Sequence, residues 1–500
     1  MARLRKVLVA NRGEIARRVF RTCRAHGIAT VAVYSDPDRT APHVADADEA
    51  VDIGPAAASA SYLRTDRIIA AARQTGADAI HPGYGFLSEN PDLVAACEAA
   101  GIVFVGPPAE AMHVMGDKIR ARTAMANASV PVVPGRDHIE SHADAAAAAA
   151  EIGYPLMVKA SAGGGGKGMR IVHRPEDLES AYDAAAREAV AAFGDGRLFV
   201  ERAVLTARHV EIQVMADAHG NVVHLGERDC SVQRRHQKVI EESPSPSPQM
   251  NPEVRAAMGD VATRAARAVG YRGAGTVEFL FEETDAGPRY YFLEMNTRLQ
   301  VEHPVTEEVT GRDLVWDQLR VAAGEPLGYT QDDVKMRGHA VQCRIYAEDP
   351  RSFLPRPGTA ELVVWPVGPG IRVDAAVESG VTVSSHYDPM IAKLVAWGPD
   401  RDRAIARMRA ALDDTVILGV QTNLSLHQRV LAEPSFVAGA VSTRYLDERP
   451  ALTAEAEPGP LRDRIAIAAA AAAQLASGLE RGRAAAPVVS AWRSSATWRS

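Results

Sequence analysis

Cysteine is scarce in this chain. The four present, Cys23, Cys97, Cys230 and Cys343, stand far apart and form no CxxC pair. Neither a zinc site nor a disulfide framework is suggested, and a reducing cytoplasm is the expected setting. Long apolar runs are missing as well. Near the start only Val7 to Ala10 is continuously apolar, too short for a secretory segment, and Ile465 to Ala473 is mostly alanine and far below the roughly 20 residues of a membrane span. A soluble protein with no membrane partner is expected. Positive charge is not in excess either: the formal net charge is −7 and the pI is near 6.1, which argues against nucleic acid as the main partner. The first strand-to-helix turn, Asn11-Arg12-Gly13, lacks GxGxxG and so is no dinucleotide site. The glycine-rich Ser161 to Gly168 is not a Walker A loop, because Gly168 follows Lys167 where Ser or Thr is required.

What is present is the composition of an ordinary globular protein, 47% hydrophobic and 24% charged over 500 residues, a length that calls for two to four domains. Lys6 to Ala10, Thr30 to Tyr34, Ala77 to Pro82 and Ile102 to Gly106 read as strands, and Glu14 to His26 as a helix, so the chain opens with a parallel α/β unit. Tyr84 sits between Gly83 and Gly85 after a strand end, where open α/β sheets place ligands; a plain tight turn is the equal alternative. A helix follows from about Asp117 to Asn127. Strands on either side of Ser161 to Gly168 predict a hairpin whose consecutive backbone amides can approach phosphate oxygens; a flexible linker is the alternative for the glycines alone. From about His209 long strands suggest an antiparallel-rich sheet, hence a separate catalytic domain.

The run Glu294-Met295-Asn296-Thr297-Arg298-Leu299-Gln300-Val301-Glu302-His303-Pro304 holds the most chemistry. On an extended backbone Glu294, Asn296, Arg298, Gln300 and Glu302 would share one face. Carboxylates and a carboxamide suit a hard cation, and a guanidinium with an amide suits a small planar oxyanion. A solvated edge strand is the bland alternative, weakened by the apolar Tyr290 to Leu293 and Pro304-Val305 on either side. Glu278, sixteen residues before Glu294, is spaced for a hairpin that brings both carboxylates to one metal. Cys230 to Lys238 is locally basic; a solvated loop and an RNA-contacting patch are the generic readings, the second weakened because no aromatic residues are interleaved.

The run from Glu294 resembles, residue for residue, the signature of the biotin carboxylases within the ATP-grasp superfamily, and the resemblance extends from about Leu4 to about Leu446. It implies an α/β and α+β architecture: a Rossmann-like N-terminal domain over 1–116, an ATP-grasp domain over 117–331 with a mobile lid at about 132–204, and a C-terminal domain over 332–448. Residues 449–500 form an Ala- and Pro-rich tail, expected to be cut from a longer chain. ATP would meet Lys118, Lys159, Gly163, Gly164, Gly165, Gly166, Lys167 and Gly168, with Glu201 and Val204 at the hinge strand and His209, Gln233 and His236 further on. Mg²⁺ or Mn²⁺ would sit on Glu278, Glu294 and Asn296. Bicarbonate would be held by Lys238, Arg298, Gln300 and the Val301 amide, with Glu302 as its base. Carrier-linked biotin, as substrate, would meet Tyr84 and Arg344, and Arg298, Glu302, Lys238 and Arg344 make up the catalytic set.

One position departs from the stand-alone bacterial enzymes: Tyr346 stands where they typically carry Asn. With His386 to Val395 this looks more like the α subunits of propionyl-CoA and 3-methylcrotonyl-CoA carboxylases. The implied partners are a biotin carboxyl carrier domain and a carboxyltransferase β subunit, and the family often forms homo-oligomers. Another ATP-grasp carboxylate-amine ligase would share Lys118, Lys159, Glu201, Glu278 and Glu294 but is not expected to combine Arg298 to His303 with Arg344. A catalytically silent subunit is disfavoured, since no expected catalytic position is substituted. No lysine follows Arg449, and Val334-Lys335-Met336 precedes a core strand. The chain is therefore not expected to carry its own biotin.

Overall fold

The computed structural model describes residues 4–161, 168–234 and 237–454. The expected opening unit is present. Strands β1 (Lys6–Val9), β2 (Ala29–Ser35), β3 (Glu49–Gly54), β4 (Ala79–His81) and β5 (Val103–Phe104) form a parallel sheet in the order β3-β2-β1-β4-β5. Val7, Leu8 and Val9 are fully buried, as a central parallel strand covered on both faces requires. Helix α1 (Gly13–Ala25) follows β1 and carries Glu14 in its first turn. Asn11 donates its side-chain amide to the carbonyls of Pro82 (2.9 Å) and Tyr84 (2.7 Å), which pins the loop after β4. Gly83 in that loop has φ +64°, and a Cβ there would lie 2.9 Å from the Asn11 amide nitrogen. Only glycine fits.

Helix α2 (Lys118–Asn127) starts where the sequence places it, with Asp117 accepting from the amides of Ile119 and Arg120. An antiparallel sheet follows in the order β6-β9-β7-β8, from β6 (Gly135–Ile139), β7 (Leu156–Ala160), β8 (Met169–Val172) and β9 (Leu198–Arg202). The predicted hairpin is β7–β8, closed at its tip by the Ala160 amide donating to the Gly168 carbonyl at 3.0 Å.

The long strands build one eight-stranded antiparallel sheet, β14-β13-β10-β11-β12-β15-β17-β16. Its members are β10 (Arg208–Ala216), β11 (Val222–Arg234), β12 (Gln237–Ser243), β13 (Gly273–Glu282), β14 (Arg289–Asn296), β15 (His339–Tyr346), β16 (Ile371–Ala375) and β17 (Met390–Gly398). Alternation decides its two faces: Val210, Ile212, Val214, Val277, Phe279 and Phe281 pack into an apolar core, which frees the intervening positions to carry charge. Among the described residues no helix is long and apolar enough to cross a membrane.

One expectation fails. The run from Glu294 to Glu302 is not extended throughout: β14 ends at Asn296, residues 297–301 form a loop, and Glu302 immediately precedes helix α3 (His303–Thr310). Pro304 lies in the first turn of α3, where its missing N–H goes unused and its fixed φ suits the helix. The loop is tied down by the Thr297 amide, which donates to Glu89 at 3.0 Å.

Candidate functional site

Antiparallel register places one charged residue from each of four adjacent strands in a single row: Arg228 opposite Glu211, Glu211 opposite Glu278, and Glu278 opposite Glu294. Like charges directly opposite one another repel, so three neighbouring carboxylates need cations close by. Lys238 on β12 is the central one. Its Nζ lies 2.5 Å from Glu211, 2.8 Å from Glu278 and 2.6 Å from Glu302. Burial works against its charge, but these carboxylates prevail and hold its pKa well above the lysine range.

Glu302 is 2% exposed and joins Lys238 to Arg344, whose Nη2 donates to it at 2.9 Å. Burial raises the pKa of Glu302, yet Lys238, Arg344 and Arg228 outweigh burial and keep it well below the usual carboxylate range. The group is ionised and positioned as an acceptor. Gln300 donates to Glu278 at 2.7 Å, while its carbonyl oxygen accepts from Arg228 at 2.8 Å. Arg298 turns the other way, to Glu89 (3.0 Å) and the Asn296 side-chain Oδ1 (3.1 Å), so it makes no direct ion pair with Glu302 here. The Val301 amide, in a half-buried residue beside Glu302, donates to no group among the described residues.

On the metal side, Asn296 donates to Glu278 at 2.8 Å. Glu294 lies at the end of the row away from Arg228; burial and then the neighbouring Glu278 raise its pKa. Glu294 has no close cation among the described residues, and with Glu278 opposite and an amide oxygen beside the pair it completes an all-oxygen donor set that fits Mg²⁺ or Mn²⁺. His209 Nε2 lies 2.8 Å from Glu278; burial disfavours its proton, but Glu278 wins and the pKa is raised.

The nucleotide-side lysines form a second cluster. Lys159 on β7 pairs with Glu201 on β9, whose carboxylate also lies 3.6 Å from Arg122. Lys118 is half-buried nearby; burial, then the like charge of Lys159, lower its pKa. Val204 follows β9 and is half-buried, and Gln233 faces Lys238 across the β11–β12 pair. Gly163 to Lys167 and His236 lie outside the described residues, while Gly168 is the residue that closes the β7–β8 hairpin.

Arg344 does not pair with the nearby Glu348 or Asp349. Its Nε donates to the buried Glu241 at 2.5 Å, while Glu348 binds Arg234 instead. Tyr346, buried at the same strand end, interacts with the same guanidinium. Tyr84 is linked to Arg344 through two residues: its hydroxyl bonds Glu14, Glu14 lies 3.0 Å from Lys393, and Lys393 is the cross-strand partner of Arg344.

Sequence reasoning missed Glu211, Arg228 and Glu241. Arg228 is fully buried and donates to Glu211, Gln213, Thr276, Gln300 and Thr306. A signal existed in Val210-Glu211-Ile212-Gln213-Val214, since a charge inside an otherwise apolar buried strand needs a partner.

Comparison with known proteins matches this geometry. The family described as Biotin carboxylase, N-terminal domain, matches residues 3–112; Carbamoyl-phosphate synthase L chain, ATP binding domain, matches 117–330; and Biotin carboxylase C-terminal domain matches 342–448. Biotin carboxylase 1 of Bacillus subtilis is 51% identical over 446 residues, covering 89% of this chain and 98% of that protein. The mitochondrial methylcrotonoyl-CoA carboxylase subunit alpha of Dictyostelium discoideum is 52% identical over 444 residues, covering 88% of this chain and 63% of its own length. Overall identity therefore does not separate the stand-alone type from the α-subunit type. Among solved structures, the biotin carboxylase domain dimer of Hydrogenobacter thermophilus 2-oxoglutarate carboxylase, in complex with MgADP, ADP and bicarbonate, is 47% identical with a TM-score of 0.85, covering 91% of this chain and 100% of that one. A biotin carboxylase from Campylobacter jejuni is 46% identical, also with a TM-score of 0.85, covering 89% of this chain and 99% of its own. With a relative more than half identical along nearly its whole length, and solved biotin carboxylases of the same fold, this chain belongs to the biotin carboxylase family of ATP-grasp enzymes.

Proposed function

We propose that this chain carboxylates biotin held on a carrier protein, using ATP and bicarbonate, as the first half-reaction of an acyl-CoA carboxylase. The observation that carries this reading is Glu302, a buried carboxylate that bridges Lys238 on the phosphate side and Arg344 on the far side. Bicarbonate is a weak nucleophile, and biotin's urea nitrogen is a weak acid. Each needs help.

Bicarbonate would lie on Lys238, Gln300 and the Val301 amide, with Arg298 released from Glu89 to join them. Its oxygen attacks the γ-phosphorus of ATP, the bond to ADP breaks, and Glu302 takes the proton. A bound anion on Lys238 weakens the cation's hold on Glu302 and so restores basicity when it is needed. Carboxyphosphate then yields CO₂ and phosphate in a closed site. The phosphate takes the proton from biotin, Arg344 steadies the enolate-like oxygen with Arg298 nearby, and the urea nitrogen adds to CO₂. Lys118, Lys159 and the 163–168 glycines would hold the phosphates, Glu201, Val204, His209, Gln233 and His236 the rest of the nucleotide, and Tyr84 the biotin side. Glu278, Glu294 and Asn296 would hold Mg²⁺ or Mn²⁺, which when bound neutralises phosphate charge.

In this reading residues 132–204 form a lid over ATP. Supporting it, β6–β9 form a sheet of their own, with no strand shared with the eight-stranded sheet. A biotin carboxyl carrier domain and a carboxyltransferase β subunit would be the partners, in the cytoplasm, with this chain as a homo-oligomer. The test is ADP release with bicarbonate, divalent metal and free biotin each omitted in turn. Bicarbonate and metal should be required and biotin should accelerate release; indifference to bicarbonate sinks the reading.

A further inference from the structure

Arg344 stands beside a break in the pairing of its strand with β17. The β15–β17 register runs Arg344 opposite Lys393 and Ile345 opposite Ala392, then skips a residue so that Tyr346 faces Met390. Such a bulge re-aims side chains. On its other edge β15 pairs with β12 only as far as Cys343 opposite Ile240, so the buried backbone groups beyond that point need other partners.

They find them at helix α4 (Leu424–Ala432). Asn423 donates its side-chain amide to the Arg344 carbonyl at 3.0 Å and accepts the Tyr346 amide on its Oδ1 at 2.9 Å. His427, one turn further on, lies with Nε2 2.8 Å from the same Arg344 carbonyl. A carbonyl only accepts, so His427 carries its proton on Nε2. The two donors together fill the carbonyl's two lone-pair directions. Both side chains are fully buried, and burial lowers the His427 pKa to about 4, so the ring stays a neutral single donor at working pH. The position of Asn423 is telling. It occupies the N-cap of α4, where an Asn ordinarily accepts from the first turn's amides, yet its side chain caps none of them. Its hydrogen bonds are spent across the sheet instead.

We infer that Asn423 and His427 are positioning residues for biotin carboxylation, clamping the backbone of β15 beyond its pairing with β12 so that the Arg344 guanidinium stays on Glu241 and Glu302. This rests on the reading that Arg344 meets biotin. Neither clamp residue need touch biotin, bicarbonate or ATP.

The test uses Asn423→Asp, which keeps the size and the Tyr346 acceptor but turns a carboxylate toward the Arg344 carbonyl, beside His427→Leu and His427→Gln. Three quantities are measured: kcat/KM for biotin, bicarbonate-dependent ATP hydrolysis without biotin, and KM for ATP. Asn423→Asp should lower kcat/KM for biotin by about tenfold, the rate equivalent of one lost hydrogen bond. The two biotin-independent quantities should stay near wild type. His427→Leu should show a smaller loss of the same kind, and His427→Gln, which restores a donor, should recover most of it. If Asn423→Asp does not fold, the His427 pair decides alone. Parallel losses in all three quantities, or unchanged biotin kinetics, overturn the clamp. Arg344→Ala, run alongside, separates the two layers: biotin kinetics impaired by Arg344→Ala but by neither clamp variant refute the clamp alone, whereas indifference to Arg344→Ala refutes the biotin assignment and the clamp together.

Discussion

The two lysine clusters of the site sit in opposite electrostatic conditions. Lysine is rare here, only seven among 56 basic residues, and four of the seven were expected at the site. Lys238 is gripped by three buried carboxylates; Lys118 is half-buried beside another lysine and loses basicity. The first cluster is already neutralised and rigid, a frame that aims groups at the reacting atoms. The second is short of negative charge, and a triphosphate would supply it. A compact ammonium serves both purposes where a planar guanidinium would not.

That contrast can be broken most severely at Lys238. Lys238→Met should leave Glu211, Glu278 and Glu302 without their shared cation and cost about 3–5 kcal/mol, read as a lower midpoint in urea unfolding together with lost turnover. Glu302→Gln should do less harm to the fold and remove the base. Biotin-dependent turnover should fall on the order of a thousandfold, with KM for ATP little changed; near-wild-type turnover would refute the assignment.

Histidines sharpen the same comparison. His209, beside Glu278, has a raised pKa, whereas His81, buried in the N-terminal sheet without a carboxylate, is lowered to about 4. In the unfolded chain His81 titrates near 6.5. Between that value and 4 the unfolded state therefore takes up a proton that the native state refuses. Stability contributed above pH 6.5 is lost as pH falls, by about 3 kcal/mol in full. The melting temperature should decline across that window, and His81→Gln should flatten the decline. The mildest case is Lys118→Ala, which relieves Lys159 of a like charge. It should leave melting unchanged and raise KM for ATP about tenfold, the loss of one charge-assisted contact.

Residue order by itself determined much of this protein: the β1–α1 start, the helix from Lys118, the β7–β8 hairpin and the long antiparallel strands all follow from local periodicity and turn chemistry. The sequence also brought Glu278, Glu294, Lys238 and Glu302 into view, because acidic, amide and basic residues in apolar surroundings stand out along a chain. It misled at the same place. Strand alternation would place Glu294 to Glu302 on one extended face, but the strand stops at Asn296 and Glu302 reaches the site from the start of a helix. Only the tertiary structure decided that Arg228, Glu211, Glu278 and Glu294 stand in one row, that Glu241 holds Arg344, and that Asn423 reaches back to its carbonyl. The reason is physical: strand register and cross-strand neighbours are set by pairings between segments tens of residues apart, and local sequence carries no record of which strand lies alongside.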